Sequence, residues 1–229
     1  MATAKRTLTE VPRTPDAAPK TGLYVQYGCG WCAPAGWQNF DASHTLRFER
    51  LPLVGRWYTK NSRRFPDQVR YGNIVKGLPL PPECASGVYA SHILEHLAYN
   101  DCLQALRNTH RLLMPGGVFR LIVPDLEFVA RQYVDALQTD SPEANDLFME
   151  NTSLGRRGSP HGIFAWLYSQ LANSRHFWMW DYPAMAQALD AQGFREIRRC
   201  SFNDSGDPMF ARVEDRLRFE GALAVQARK

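Results

Sequence analysis

Two apolar pentapeptides, Leu23-Tyr24-Val25-Gln26-Tyr27 and Trp37-Gln38-Asn39-Phe40-Asp41, flank a short stretch that opens on Gly28-Cys29-Gly30 and contains Pro34 and Gly36. Short apolar runs ending at glycine read as buried parallel strands. Parallel neighbours ordinarily need a crossover of about a dozen residues or more. Pro34 and Gly36 interrupt a helix almost at once. The chain is therefore an open α/β fold whose first turn is too short for the usual crossover helix. Glycines there allow positive φ and close approach of the backbone to a ligand.

The rest of the chain extends this pattern. Val69 to Ile74 reads as a third short strand, Gly87 to Ser91 as a fourth and Val118 to Val123 as a fifth. Arg195 to Phe202 and Ala222 to Ala227 close the chain; no helical pattern separates them, so an antiparallel hairpin is expected. A helix is predicted over Asp101–Leu113, with Asn100 or Asp101 as N-cap, Leu103, Leu106 and His110 on one face, and Pro115-Gly116-Gly117 as its stop. Further helices are expected over Glu127–Leu137, 143–150 and 161–172, and another where Asp181 caps a run with Pro183 in its first turn and Gly193 at its end. Residues 44–68 read as an irregular or partly helical insertion, and 140–180 as a substrate lid. Strands alternating with helices predict a Rossmann-like, mostly parallel seven-stranded sheet with an antiparallel C-terminal hairpin and helices on both faces. Residues 1–21 read as a flexible tail and 22–229 as a single domain.

The loop also fits Gly-x-Gly-x-x-Ala through Gly28, Gly30 and Ala33. A dinucleotide site needs a helix beginning at the second glycine, with its N-terminus on the pyrophosphate. Its absence favours a cofactor without phosphates over NAD(P). Asp41, at the end of the second strand, offers two oxygens that match a ribose diol.

These residues, followed by Gly77-Leu78-Pro79-Leu80, Ser91-His92-Ile93-Leu94-Glu95-His96-Leu97 and Leu112-Leu113-Met114-Pro115-Gly116-Gly117, resemble class I S-adenosylmethionine-dependent methyltransferases, in their small type 11-like branch. The resemblance covers residues 22–127 and extends more loosely to the C-terminus. It implies S-adenosylmethionine as cofactor. Gly28, Cys29 and Gly30 would line its methionine and ribose part, Asp41 the ribose diol, Asn73 and Ile74 the adenine, and Ala90 and Ser91 the methionine amino group and methyl. Gln26 stands where many such enzymes carry an acidic residue, so the cofactor's ammonium would be held less strongly; Asn73 stands where they often carry an Asp, and its side-chain oxygen can still accept from the adenine amino group. The implied activity is methyl transfer to a small-molecule acceptor of natural-product or saccharide type. An NAD(P)-dependent oxidoreductase and an inactive cofactor-binding module are the alternatives.

His92, directly after the fourth strand, and His176 are the candidate bases or substrate contacts. Arg157, His161, Arg175 and Trp178 are candidate acceptor contacts. His92 and His96 are four apart, yet no third ligand is evident, and Cys29-x-x-Cys32 has no partner pair, so no metal is expected. The formal net charge of +4 is spread along the chain and gives no indication of nucleic acid. No run of about 18 apolar residues reaches bilayer length. Five cysteines without a secretory leader suggest a reduced, cytoplasmic setting. The oligomeric state stays open, a homodimer being one option.

Overall fold

The structure is a computed structural model that describes residues 22–52, 63–155, 158 and 175–229. β1 (Leu23–Tyr27) is buried from Val25 onward and pairs in parallel with β2 (Trp37–Asp41) on one side and β4 (Ala85–Ser91) on the other. β3 (Val69–Tyr71) extends the β2 edge. β5 (Leu113–Pro124) lies parallel to β4, and β7 (Ala222–Arg228) runs antiparallel between β5 and β6 (Arg195–Arg199). The order is β3-β2-β1-β4-β5-β7-β6. Because β1 and β4 are central, their residues point into packed layers on both faces, which is why these strands are mostly apolar rather than alternating.

One face is covered by α2 (Tyr99–Leu112) and α5 (Tyr182–Ala191). Ala105, Leu106, Met185 and Leu189 bury against Val25, Tyr27, Val88, Leu121 and Val225. Asp181 caps α5 by accepting from the Ala184 N–H, with Pro183 in the first turn. α1 (His44–Glu49), α3 (Leu126–Gln138) and α4 (Ala144–Asn151) complete the helices among the described residues.

The other face is filled differently. No helix joins β1 to β2, and the space over β1, β2 and β4 is taken by the connection from β6 to β7, residues 200–221, which holds two short 3-10 turns. Phe210 is fully buried there against Tyr24 and Trp37. Tyr24 donates to Asp207 at 2.6 Å, Trp37 donates to the Met209 carbonyl at 3.2 Å, and Arg212 donates to the Ala35 carbonyl at 3.0 Å. Arg120, buried on β5, fastens the same connection: it meets Glu214 at 2.6 Å, Asp204 at 2.8 Å and the Ser201 carbonyl at 2.9 Å.

Several local expectations shift. α2 begins at Tyr99 on an Ala98 cap without a side-chain bond, because Ala98 is extended and the helix can start at once; Asn100 and Asp101 lie inside it. Its buried stripe is Cys102, Ala105, Leu106, Thr109 and Leu112, so His110 sits at the margin, edge-on to Phe194. Pro115-Gly116-Gly117 belong to β5, whose pairing with β4 shifts register near Ala85–Gly87. β6 and β7 are antiparallel neighbours, but a face-covering segment joins them rather than a hairpin turn. The helix expected over 161–172 and the tail 1–21 lie outside the described residues.

Candidate active site

The carboxyl ends of β1, β2 and β4 converge on the glycine loop. Gly28 and Gly30 have φ of +64° and +53°, the left-handed region that glycine enters without a Cβ penalty. Their surroundings differ. A Cβ at Gly28 would lie 2.0 Å from Ile93 Cγ1, so this glycine admits the Ile93 side chain. A Cβ at Gly30 would meet nothing within 4 Å, and this is where a ligand can approach backbone. Cys32 N–H returns to the Cys29 carbonyl at 3.0 Å, and β2 begins at Trp37, so no helix N-terminus faces the loop.

Asp41, at the tip of β2, accepts from the Gly30 N–H at 3.0 Å and the Ser43 N–H at 2.7 Å. Burial raises its pKa, against the pull of the two N–H groups. One hydrogen bond occupies each oxygen, which leaves a further lone pair on each for a vicinal diol. The residues present thus fit a phosphate-free adenosyl group: open backbone at Gly30 and a carboxylate beside it. Asn73 turns its Oδ1 to the Val75 and Lys76 N–H groups at 2.9 and 3.4 Å, leaving its side-chain NH2 free of that turn. Ile74 packs into the core behind it. Ala90 and Ser91 end β4, buried. Gln26 is buried within the sheet, where its amide donates to the Cys32 carbonyl at 2.6 Å and to Asn39. It ties the loop to β2. Cys29 is buried with its thiol pushed far up by desolvation, which suits packing and not redox chemistry.

β4 leaves the sheet through His92, a non-glycine residue at φ +53°. Its N–H bonds the Ile122 carbonyl at 2.8 Å, and its Nε2 lies 3.1 Å from the Arg218 carbonyl. His92 lines a cavity of about 430 Å³ with Phe128, Val129, Gln132, Asn151 and Glu220. The next residue, Ile93, lies on Gly28. One turn thus separates the cofactor loop from a cavity.

Behind His92 is a residue the sequence reading did not single out. Glu95 is fully buried, and His92 Nδ1 stands 3.4 Å from its carboxylate. Its backbone carbonyl accepts from Phe177 at 2.7 Å and Trp178 at 3.2 Å. His96 Nε2 is 3.8 Å from the same carboxylate, and the His176 ring lies 5.0 Å from that of His96. His176 is thus packed beside Glu95 and is not among the cavity residues; burial lowers its pKa. Spacing alone pairs His92 with His96; residue 176 comes from across the fold, and no local signal announces it. Arg175 offers its backbone carbonyl to His96 at 2.8 Å. Trp178 is half-exposed against Tyr99, whereas Trp180 is buried. Arg157 and His161 lie outside the described residues.

A seven-stranded sheet with this order, a glycine loop open at Gly30 and a carboxylate at the tip of β2 defines an adenosyl-binding α/β domain. A family model described as a methyltransferase domain matches residues 25–121, the segment that carries the glycine loop and the carboxylate at the tip of β2. Over this segment the chain matches the methyltransferases, and S-adenosylmethionine is the cofactor. Solved structures similar to the chain include a possible histamine N-methyltransferase from Thermotoga maritima (16% identity, 92% of this chain and 83% of that one, TM-score 0.48). They also include methyltransferases from Archaeoglobus fulgidus (14%, 92% and 87%, 0.45) and Mesorhizobium loti (19%, 93% and 94%, 0.44). No curated protein sequence matches the chain. No helix among the described residues is long and apolar enough to cross a membrane.

Proposed function

We propose that the methyl acceptor is a small hydroxylated molecule of natural-product or saccharide type, bound in the cavity that His92 lines. The observation that carries this reading is the turn at residues 92–93, which presents His92 to the cavity while Ile93 lies on the cofactor loop. The cavity volume suits a small ligand and not a polymer. Phe128 and Val129 supply an apolar wall; Gln132, Asn151 and Glu220 supply hydrogen-bonding groups. Glu220 disfavours an anionic acceptor.

The bound cofactor supplies a methyl group on a sulfonium, open to in-line displacement. The chain's own work is positioning. Asp41 holds the ribose, Gly30 admits the backbone contact, and Cys29, Asn73, Ile74, Ala90 and Ser91 line the remainder. His92, at the cavity wall, contacts the acceptor and helps to orient it; His176, packed beside Glu95, supports the turn that carries His92. Arg157, His161, Arg175 and Trp178 remain proposed acceptor contacts, and the setting is proposed to be cytoplasmic.

The test pairs calorimetry with turnover. An acceptor is sought among hydroxylated metabolites by release of the demethylated cofactor. Val129→Trp, which fills the cavity, is expected to abolish turnover of that acceptor while cofactor affinity stays within about twofold. Wild-type turnover in that variant would place the acceptor elsewhere. Tight cofactor binding with no turnover of any acceptor would favour the inactive-module reading.

A further inference from the structure

We propose that Glu95, His96 and His176 form a binding site for one divalent transition-metal ion, beside the cofactor site and separate from it. One ligand atom from each lies within 4.8 Å of the others. Three features distinguish this cluster from a chance grouping of polar side chains.

First, the carboxylate is committed to the interior. Glu95 is 0% exposed, and neither oxygen has a hydrogen-bond partner among the described residues. A buried charge left in that state is costly, and metal coordination is one of the few ways to offset it. Second, the histidines are oriented as ligands. His96 Nδ1 lies 2.8 Å from the Arg175 carbonyl, which requires a proton on Nδ1 and puts the lone pair on Nε2, the nitrogen 3.8 Å from Glu95. His176 bonds the Thr152 backbone, and its buried Nδ1 is without a partner among the described residues. Metal-bound histidines characteristically give their second nitrogen to a backbone carbonyl or carboxylate in this way, which fixes tautomer and ring plane. Third, the chemistry matches: two imidazole rings and a carboxylate converge with no Lys or Arg side chain paired to the carboxylate among the described residues, so a cation at their centre would have three donors.

Two imidazoles and one carboxylate suit zinc, iron, cobalt or nickel better than magnesium or calcium. Ligand atoms of a tetrahedral zinc site lie about 3.4 Å apart. Glu95 and His96 are near that spacing already, and the set needs to contract by about 1.4 Å at most. Three protein ligands leave at least one coordination position open. His92 Nδ1, 3.4 Å from the Glu95 carboxylate, is a fourth nitrogen within reach. The ion would lock residues 175–178 to the turn after β4, reinforcing the bonds from Phe177 and Trp178 to the Glu95 carbonyl.

The experiment is a titration of the untagged, chelator-stripped full chain with Co²⁺ alone, followed by visible absorption and melting temperature. The expected result is one equivalent bound with visible absorption bands, displaced by Zn²⁺, and a raised melting temperature. His96→Gln and His176→Gln are each expected to weaken binding at least tenfold, whereas His110→Ala, on α2 against Phe194, leaves it unchanged. Circular dichroism and S-adenosylmethionine affinity report whether each variant is folded. If a variant fails to fold, the wild-type titration alone decides. Absence of stoichiometric Co²⁺ binding, or equal binding in folded His96→Gln and His176→Gln, overturns the proposal. Cofactor binding is read separately, so loss of the metal site does not count against the methyltransferase reading.

Discussion

Gly28 and Gly30 lie two residues apart, share a positive φ, and meet opposite surroundings. Alanine at either position is strained by roughly 1–2 kcal/mol for its left-handed backbone. At Gly28 the methyl also collides with Ile93, so Gly28→Ala should lower the urea midpoint clearly. Gly30→Ala has room in the protein itself; its expected effect is a small loss of stability and a cofactor affinity reduced tenfold or more by calorimetry. Equal stability losses with intact cofactor binding in both variants would remove Gly30 from the cofactor site. The sequence shows that both glycines serve a tight turn, but not which one is open, because that depends on Ile93 arriving from another strand. The same limit hid Glu95. Its partners at 92 and 96 are visible in sequence, yet its burial is set by the segment around 176.

Among the elements, the β6–β7 connection is held by the buried Arg120. Removing one partner of such a pair leaves an uncompensated charge and typically costs about 3–5 kcal/mol, whereas replacing both with apolar groups is often neutral. Arg120→Met should therefore cost several kcal/mol in denaturant unfolding, since Glu214 stays fully buried. Arg120→Met combined with Glu214→Leu should recover part of that loss. Asp204 adds a pH dependence. Desolvation pushes its pKa upward, but Arg198, the Ser201 N–H and Arg120 outweigh it and hold the pKa down at about 2. A folded pKa below the unfolded value of about 3.9 means the stabilisation is complete above that value and is lost as pH falls toward 2. Asp204→Asn should accordingly show a shallower stability loss than the wild type between about pH 5 and pH 2. The strands and the Asp181-capped helix were legible because each carries its own periodicity or cap. The 200–221 connection was not, since Phe210 and Arg120 are single residues whose roles exist only in the pair of surfaces they join.

At the scale of the whole molecule, the strand alternation was enough to predict seven strands with an antiparallel end, and the missing crossover helix was readable from Pro34 and Gly36. What covers the vacated sheet face was not readable, because the cover, residues 200–221, lies far downstream of β2 in the sequence. Residues 22–199 produced alone should accordingly bind hydrophobic dyes and lack near-ultraviolet dichroism; a native-like spectrum would show that the face is satisfied without Phe210. On the ribosome the consequence is temporal. Synthesis releases β1, β2 and β4 long before the segment that shields Tyr24, Trp37 and Tyr89, so a nascent chain must carry an exposed aromatic surface until residues 200–221 emerge. For that interval the uncovered aromatic face is open to wrong partners, and the exposure lasts as long as the chain between β2 and its cover takes to make.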